Sequence, residues 1–224
     1  GEAILKEKGL RYYVVPSISW VVPGWYPSSM LVSLGQVKRI LKNKVYAREL
    51  TKILKAEHVD LVHINTSYSC FGAFAAKRAG IPYVWHIREF LEEDQGNRFY
   101  FPRYSHRLMS RASLVIAISN SIYEKYSKVI TKEKIKVIYN GIATEQFYMP
   151  GRRIFKDSRI TLCYVGGLSE LKGTDDLIEA CRLLNAGGYK DSYRLLIAGR
   201  GNEAYEAQLR DRINQYELDN IEML

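Results

Sequence analysis

Along the chain, apolar runs of strand length alternate with longer stretches whose apolar residues recur every three or four positions. The runs are Val59 to Ile64, Ile81 to His86, Leu114 to Ser119, Ile135 to Tyr139, Arg159 to Val165 and Tyr193 to Ala198. Runs that are apolar almost throughout suit parallel strands covered on both faces. Helical patterns lie between and around them, at Gln36 to Glu57, Ser69 to Ala79, Asn120 to Lys128, Thr174 to Leu184 and Asn202 to Tyr216. Gly80 and Gly187-Gly188 stand where two of these helices must stop, and Asp175 and Asp176 sit in a first turn. Pro82 falls at the start of its strand, where the missing N–H is tolerated. Gly1 to Lys8 reads as a helix stopped by Gly9, followed by a short strand over Arg11 to Val15. Trp20 to Ser33, aromatic and punctuated by prolines, reads as a surface loop, and Arg88 to Ser105 as a polar one. Asn220 to Leu224 has the character of a strand just beginning.

Strand and helix alternate twice over, and the composition of Met149 to Arg153 marks a linker between the two series. The pattern therefore predicts an α/β protein of two Rossmann-like domains, residues 1–150 and 151–224. In such sheets ligands lie beyond the carboxyl ends of the strands. A domain that opens on the tail of a helix lacks its preceding strand, so the expected chain is a fragment.

Composition adds little to the fold and more to the partners. A hydrophobic share of 47% is that of a chain able to bury a core. No run of about 18 apolar residues exists, and no signal-peptide core stands at the N-terminus, so the expected location is cytoplasmic. The three cysteines, Cys70, Cys163 and Cys181, are far apart and form no C-x-x-C; buried thiols are expected, with neither disulfide nor metal site. Lys and Arg exceed Asp and Glu by nine, which points to anionic partners. Nucleotide-sugar phosphates, acidic lipid headgroups and nucleic acid all qualify. The helix over Gln36 to Glu57 carries Val37, Ile40, Leu41, Val45, Leu50, Ile53 and Leu54 as one stripe, and Lys38, Arg39, Lys42, Lys44, Arg48, Lys52 and Lys55 around it. It reads either as a helix that meets an acidic membrane surface or as a solvated outer face.

Candidate chemistry gathers after strands. Leu162 to Val165 runs into Gly166-Gly167, then Lys172-Gly173, then the start of a helix. Glycines let backbone N–H groups approach a ligand, a helix start adds positive partial charge, and lysine adds a full one, which together suit an anion. Taken alone, Lys172 reads equally as a solvated turn lysine. Gly199-Arg200-Gly201 forms a second strand-to-helix corner, without the third glycine of the dinucleotide fingerprint. His86 ends a strand beside Arg88 and Glu89, either as a proton-handling group or as a structural cap. Asn65, also at a strand end, is either a polar cleft floor or an ordinary Asx turn. His58, His63 and His106 show no ligand spacing.

The segments Lys136-Val137-Ile138-Tyr139-Asn140-Gly141-Ile142, Tyr164 to Leu168 with Lys172-Gly173, and Leu196 to Gly201 resemble retaining GT-B glycosyltransferases, and among them family 4, the group 1 glycosyltransferases. Asp60 to Asn65 and Gly80 to Phe90 are similar to that family's acceptor-side domain. The resemblance implies transfer of a sugar from a nucleotide-diphosphate donor to the hydroxyl of a sugar or lipid-linked acceptor, with retention, in polysaccharide or glycolipid synthesis at the inner face of the membrane. It implies that Lys172 holds the diphosphate, that Gly166, Gly167, Gly199, Arg200 and Gly201 line the donor, and that His86 lies near the reacting sugar. Asn65, Arg88 and Glu89 would then belong to the acceptor side. No cofactor and no metal are implied beyond the nucleotide-sugar itself. Three departures stand out: Gly167 replaces an arginine of the family pattern, and the first strand with its glycine-rich loop and the later glutamate pair are both absent. The chain is therefore expected to show no turnover alone. A non-catalytic basic module for nucleic acid or an acidic membrane is the rival reading; it leaves the two glycine corners unexplained.

Overall fold

The computed structural model describes residues 2–148, 150–151 and 159–224, so the predicted linker over Met149 to Arg153 lies partly outside the described residues. The chain forms two compact units, Gly1–Ile142 and Ala143–Leu224. Both are α/β with parallel sheets, as the strand and helix patterns require.

The first unit opens with α1 (Glu2–Glu7), then β1 (Val21–Pro23) and the long α2 (Met30–Ala56). It continues with β2 (Val62–Ile64), α3 (Phe71–Ala79), β3 (Tyr83–Ile87), β4 (Asn97–Phe99), α4 (Pro102–Met109), β5 (Leu114–Ala117), α5 (Asn120–Tyr126) and β6 (Ile135–Val137). Strands β2-β3-β5-β6 pair in that order, all parallel. Side chains alternate along β3: Tyr83, Trp85 and Ile87 are buried, while Val84 and His86 are half-buried on the other face. Trp85 and Ile87 join Val115, Ala117, Ile122 and Tyr126 in the core. Gly80, with φ +76°, closes α3 in the left-handed conformation, donating its N–H back into the last turn.

Two expectations are corrected here. Arg11 to Val15 is not a strand; the chain runs past the end of α2, and the Arg11 and Tyr13 side chains both bond to Glu57. Trp20 to Ser33 is not simply a surface loop. Trp20 is buried, stacks on Trp85 at 5.8 Å and donates its indole N–H to the Ser67 carbonyl at 2.7 Å, and β1 pairs antiparallel with β4. The α2 helix buries only part of its apolar stripe. Its buried residues are Gln36, Asn43, Ala47, Thr51 and Leu54, whereas Val37, Leu41 and Val45 are exposed. Asn43 can be buried because its amide donates to the Ile18 carbonyl at 2.6 Å and accepts from the Ile18 N–H at 2.8 Å, satisfying both ends. Ala47 opposite Ala75 lets α2 and α3 approach closely.

The second unit contains β7 (Ile160–Val165), α6 (Thr174–Ala186), β8 (Tyr193–Ala198), α7 (Glu203–Gln215) and β9 (Ile221–Met223), with sheet order β7-β8-β9, all parallel. Ile178 and Cys181 of α6, Leu195 and Ile197 of β8, and Leu209 of α7 make its core. Asp175 accepts hydrogen bonds from Tyr205 and Arg212, pinning the first turn of α6 to α7. β7 is an edge strand with Ile160, Leu162 and Val165 exposed. Cys163 on it is exposed too, against the expectation of three buried thiols; Cys70 and Cys181 are buried.

Candidate functional site

Each unit presents its candidate residues at the carboxyl ends of parallel strands. In the first unit, β2 ends at Ile64 and β3 at Ile87, which brings Asn65, His86, Arg88 and Glu89 to one edge of the sheet. Glu89 is the tether. Its carboxylate accepts from the Thr66 hydroxyl at 3.3 Å, the Ser67 N–H at 3.2 Å and the Arg88 N–H at 3.3 Å. The loop after β2 is thereby tied to the loop after β3. Arg88 reaches back to the Asn65 side-chain oxygen at 3.5 Å.

His86 has a partner that sequence reasoning missed. Its Nδ1 lies 3.2 Å from Nε2 of His63, and the two rings stack with centroids 5.3 Å apart and planes 9° from parallel. The signal is the strand register: His63 pairs with Val84, so His63 and His86 share a sheet face at a diagonal. No spacing in the sequence contains that register. The far nitrogen of His86, Nε2, is buried and has no hydrogen-bond partner among the described residues. Burial holds the imidazole pKa below its ordinary value, with the charges of His63 and Arg88 acting in the same direction and Glu89 against it. The ring is thus neutral at neutral pH, with Nδ1 beside His63 and Nε2 enclosed by the protein.

In the second unit the two glycine corners lie side by side. Gly166 N–H donates to the Ala198 carbonyl at 3.1 Å and Leu168 N–H to the Arg200 carbonyl at 3.0 Å, and Leu168 bridges to Gly201. A Cβ on Gly199 would stand 1.9 Å from the Gly166 oxygen, and one on Gly201 would stand 2.4 Å from the Leu168 oxygen. These two glycines are therefore demanded by the packing of one corner on the other, before any ligand is considered. Gly167 has no such constraint: a Cβ there meets its nearest atom, the Arg200 oxygen, at 4.0 Å. Tyr164 donates its hydroxyl to the Gly167 carbonyl at 2.9 Å, bracing the turn.

Beyond the turn, Glu170–Lys172 makes a single 3₁₀ turn and Gly173, with φ +67°, starts α6. Lys172 is exposed, and among the described residues no carboxylate lies within ion-pairing distance of it. Arg200 is exposed and pairs with Glu206 at 3.7 Å, while Glu206 also accepts the Gly201 N–H at 2.7 Å. The structure thus brings Gly166, Gly167, Gly199, Arg200 and Gly201 to one sheet edge, with Lys172 on the connection that leaves it. Among the described residues no group of three or more His, Cys, Asp or Glu side chains is placed to hold a metal ion.

Comparison with known proteins gives a consistent result. Residues 14–146 match the family model described as Glycosyltransferase Family 4, and residues 149–224 match Glycosyl transferases group 1. The chain is 36% identical over 107 residues to the GDP-mannose:cellobiosyl-diphosphopolyprenol alpha-mannosyltransferase of Xanthomonas campestris, covering 47% of this chain and 27% of that protein. It is 23% identical over 192 residues to an uncharacterized 41.2 kDa protein in the cps region of Klebsiella pneumoniae, covering 78% of this chain and 52% of that one. The chain thus spans from about a quarter to about half the length of these curated relatives. Among solved structures it superposes over its whole length on 58% of Anabaena Alr3699/HepE, in complex with UDP and glucose, with a TM-score of 0.67 at 21% identity. A glycosyltransferase from Rickettsia africae gives 0.69 at 17% identity, over all of this chain and 56% of that one.

Proposed function

The chain belongs to Glycosyltransferase Family 4, its second unit matching the group 1 glycosyltransferases, and from that premise we propose that it binds a nucleoside-diphosphate sugar and takes part in sugar transfer. The acceptor is a hydroxyl of a sugar or lipid-linked glycan, the anomeric configuration is retained, and the product is a cell-surface polysaccharide or glycolipid made on the cytoplasmic side. The observation that carries the reading is the connection from Gly166 through Lys172 to the start of α6, beside the Gly199-Arg200-Gly201 corner. Lys172 supplies a compact cation and the first amides of α6 a positive dipole end, both suited to the charge that builds on a departing diphosphate as the bond from sugar C1 to oxygen breaks. In the first unit, His86 keeps its Nε2 enclosed, and Asn65 and Arg88, held by Glu89, offer polar groups to the acceptor. The Anabaena structure with UDP and glucose, and the GDP-mannose named for the Xanthomonas enzyme, support a uridine or guanosine diphosphate donor.

Calorimetric titration with UDP and GDP tests the reading. Binding of either is expected, and Lys172→Ala should weaken it by roughly 10- to 100-fold, the worth of one hydrogen bond to a charged group. The melting temperature of the variant should not change, because the side chain is exposed. If duplex DNA binds and neither diphosphate does, the proposal is wrong.

A further inference from the structure

Two neutral imidazoles that meet through their ring nitrogens share a single proton between them. With a proton on both facing nitrogens the N–H groups repel, and with none the lone pairs do. With one, each ring is a donor at one nitrogen and an acceptor at the other. His63 Nε2 and His86 Nδ1 meet in this way at 3.2 Å, with ring planes 9° from parallel and centroids 5.3 Å apart. That separation is close to the nitrogen gap plus the two ring radii. The facing nitrogens therefore lie nearly on the line of centroids, where an N–H in the plane of its ring points at its acceptor.

The backbone sets this approach. His63 stands opposite Val84 in the parallel register of β2 and β3, and His86 comes two residues later on the same sheet face. Two arrangements then satisfy the single-proton rule. Either His86 donates from Nδ1 to His63 Nε2, or His63 donates from Nε2 to His86 Nδ1. In the first, both rings carry their proton on Nδ1. In the second, both carry it on Nε2, the form that free histidine prefers in water. Enclosure does not offset the preference, because His86 Nε2 is buried without a partner among the described residues in either case. His63 is exposed, so water satisfies the rest of its ring.

From this geometry we infer that His63 is a positioning residue for His86, donating from Nε2 to His86 Nδ1 and so fixing the proton of the enclosed ring on Nε2. The second-nitrogen contact decides the tautomer of the first, as it does for histidines held by a carboxylate or a carbonyl. His86 is left with no free lone pair, since Nδ1 accepts from His63 and Nε2 carries hydrogen. A general base needs a bare nitrogen, so the neutral ring serves as a hydrogen-bond donor only. The placement of the proton stands without the sugar-transfer reading. Under that reading, it excludes His86 as the base that takes the acceptor's proton.

The test is heteronuclear NMR of the histidine side chains in the nitrogen-labelled protein at neutral pH, where the His86 ring is neutral. Protons bonded directly to His63 Nε2 and His86 Nε2 are expected, with His86 Nδ1 bare. A scalar coupling between His63 Nε2 and His86 Nδ1 should pass through the shared hydrogen. His63→Phe keeps a flat ring at the exposed position but offers no donor. In it the coupling should vanish and the His86 Nδ1 resonance should shift to that of a nitrogen with no donor, while the melting temperature holds. His63→Gln presents an amide N–H near the place of Nε2 and should move that resonance back towards the wild type. A proton on His86 Nδ1, no coupling in the unaltered protein, or an Nδ1 resonance unmoved by His63→Phe would each overturn the inference. The first two outcomes are read on the unaltered protein, so they decide the matter whatever a substitution does to the sheet edge.

Discussion

Gly199→Ala offers the sharpest test of how the two corners of the second unit are built. The added Cβ would stand 1.9 Å from the Gly166 carbonyl oxygen, a backbone atom that cannot rotate aside. Relief requires the turn after β7 to move off the turn after β8. That movement breaks the bonds from Gly166 N–H to Ala198 and from Leu168 N–H to Arg200, and loosens Leu168, which is only 4% exposed. Two hydrogen bonds at about 1 kcal/mol each, with about 1–3 kcal/mol of overpacking, give a loss of about 3–5 kcal/mol. For a unit of this size the melting temperature should fall by roughly 12 °C or more. Gly167→Ala is the matched control, since its Cβ meets nothing closer than 4.0 Å. It should be neutral, or stabilise by about 0.4–1 kcal/mol through the unfolded chain. Differential scanning calorimetry of the two variants reads the contrast. Gly199→Ala melting with the wild type, or both variants falling together, would refute the corner-on-corner account.

Two further substitutions probe the first unit. His86 has a folded pKa below its unfolded value of about 6.5, so the unfolded chain binds the proton first, and stability present at neutral pH should be lost as pH falls through about 6.5 towards the folded pKa. His106, depressed by its own burial, acts in the same sense, so the difference between wild type and His86→Gln in urea midpoints at about pH 7 and about pH 5 isolates the first histidine; identical pH dependence would count against the depression. Glu89→Gln leaves one acceptor oxygen for the Thr66, Ser67 and Arg88 donors and should cost about 1–3 kcal/mol, with faster amide exchange at Ser67; unchanged exchange there would show that Glu89 does not tether the two loops.

The strands and most helix positions were legible because the sheet strands are dominated by apolar residues, with one polar residue each in Val62 to Ile64, Tyr83 to Ile87 and Tyr193 to Ala198, namely His63, His86 and Arg194. The apolar stripe of α2 was legible as a stripe, but not which of its members are buried. Leu54 is, whereas Val37, Leu41 and Val45 are exposed, because Asn43 and Thr51 take the inner face with their polar atoms satisfied by Ile18 and Ala47. Periodicity identifies a face but not its direction. The pairing of β1 with β4 joins residues more than seventy positions apart, and only that pairing and the stacking on Trp85 reveal Trp20 as core. His63 was hidden for the same reason, since its partnership with His86 follows from the register between β2 and β3 and from nothing local.

The glycine corners separate two requirements that a motif alone runs together. Gly199 and Gly201 are fixed by the approach of one backbone to another, so their presence says how β7 and β8 end and nothing by itself about a ligand. The Gly201 N–H is already occupied by Glu206, and Arg200 is paired with the same carboxylate. Asp175, an acidic residue in the first turn of α6, is drawn away to Tyr205 and Arg212. Lys172 therefore stands out beside the turn as a full cation with no described carboxylate within 4 Å. If a diphosphate binds this unit, Lys172 must carry the charge-assisted part of the affinity, whereas substitutions at Gly199 and Gly201 will act through stability. A loss of diphosphate binding in Gly199→Ala at temperatures where that variant remains folded would break this division, because it would place the ligand against the corner itself.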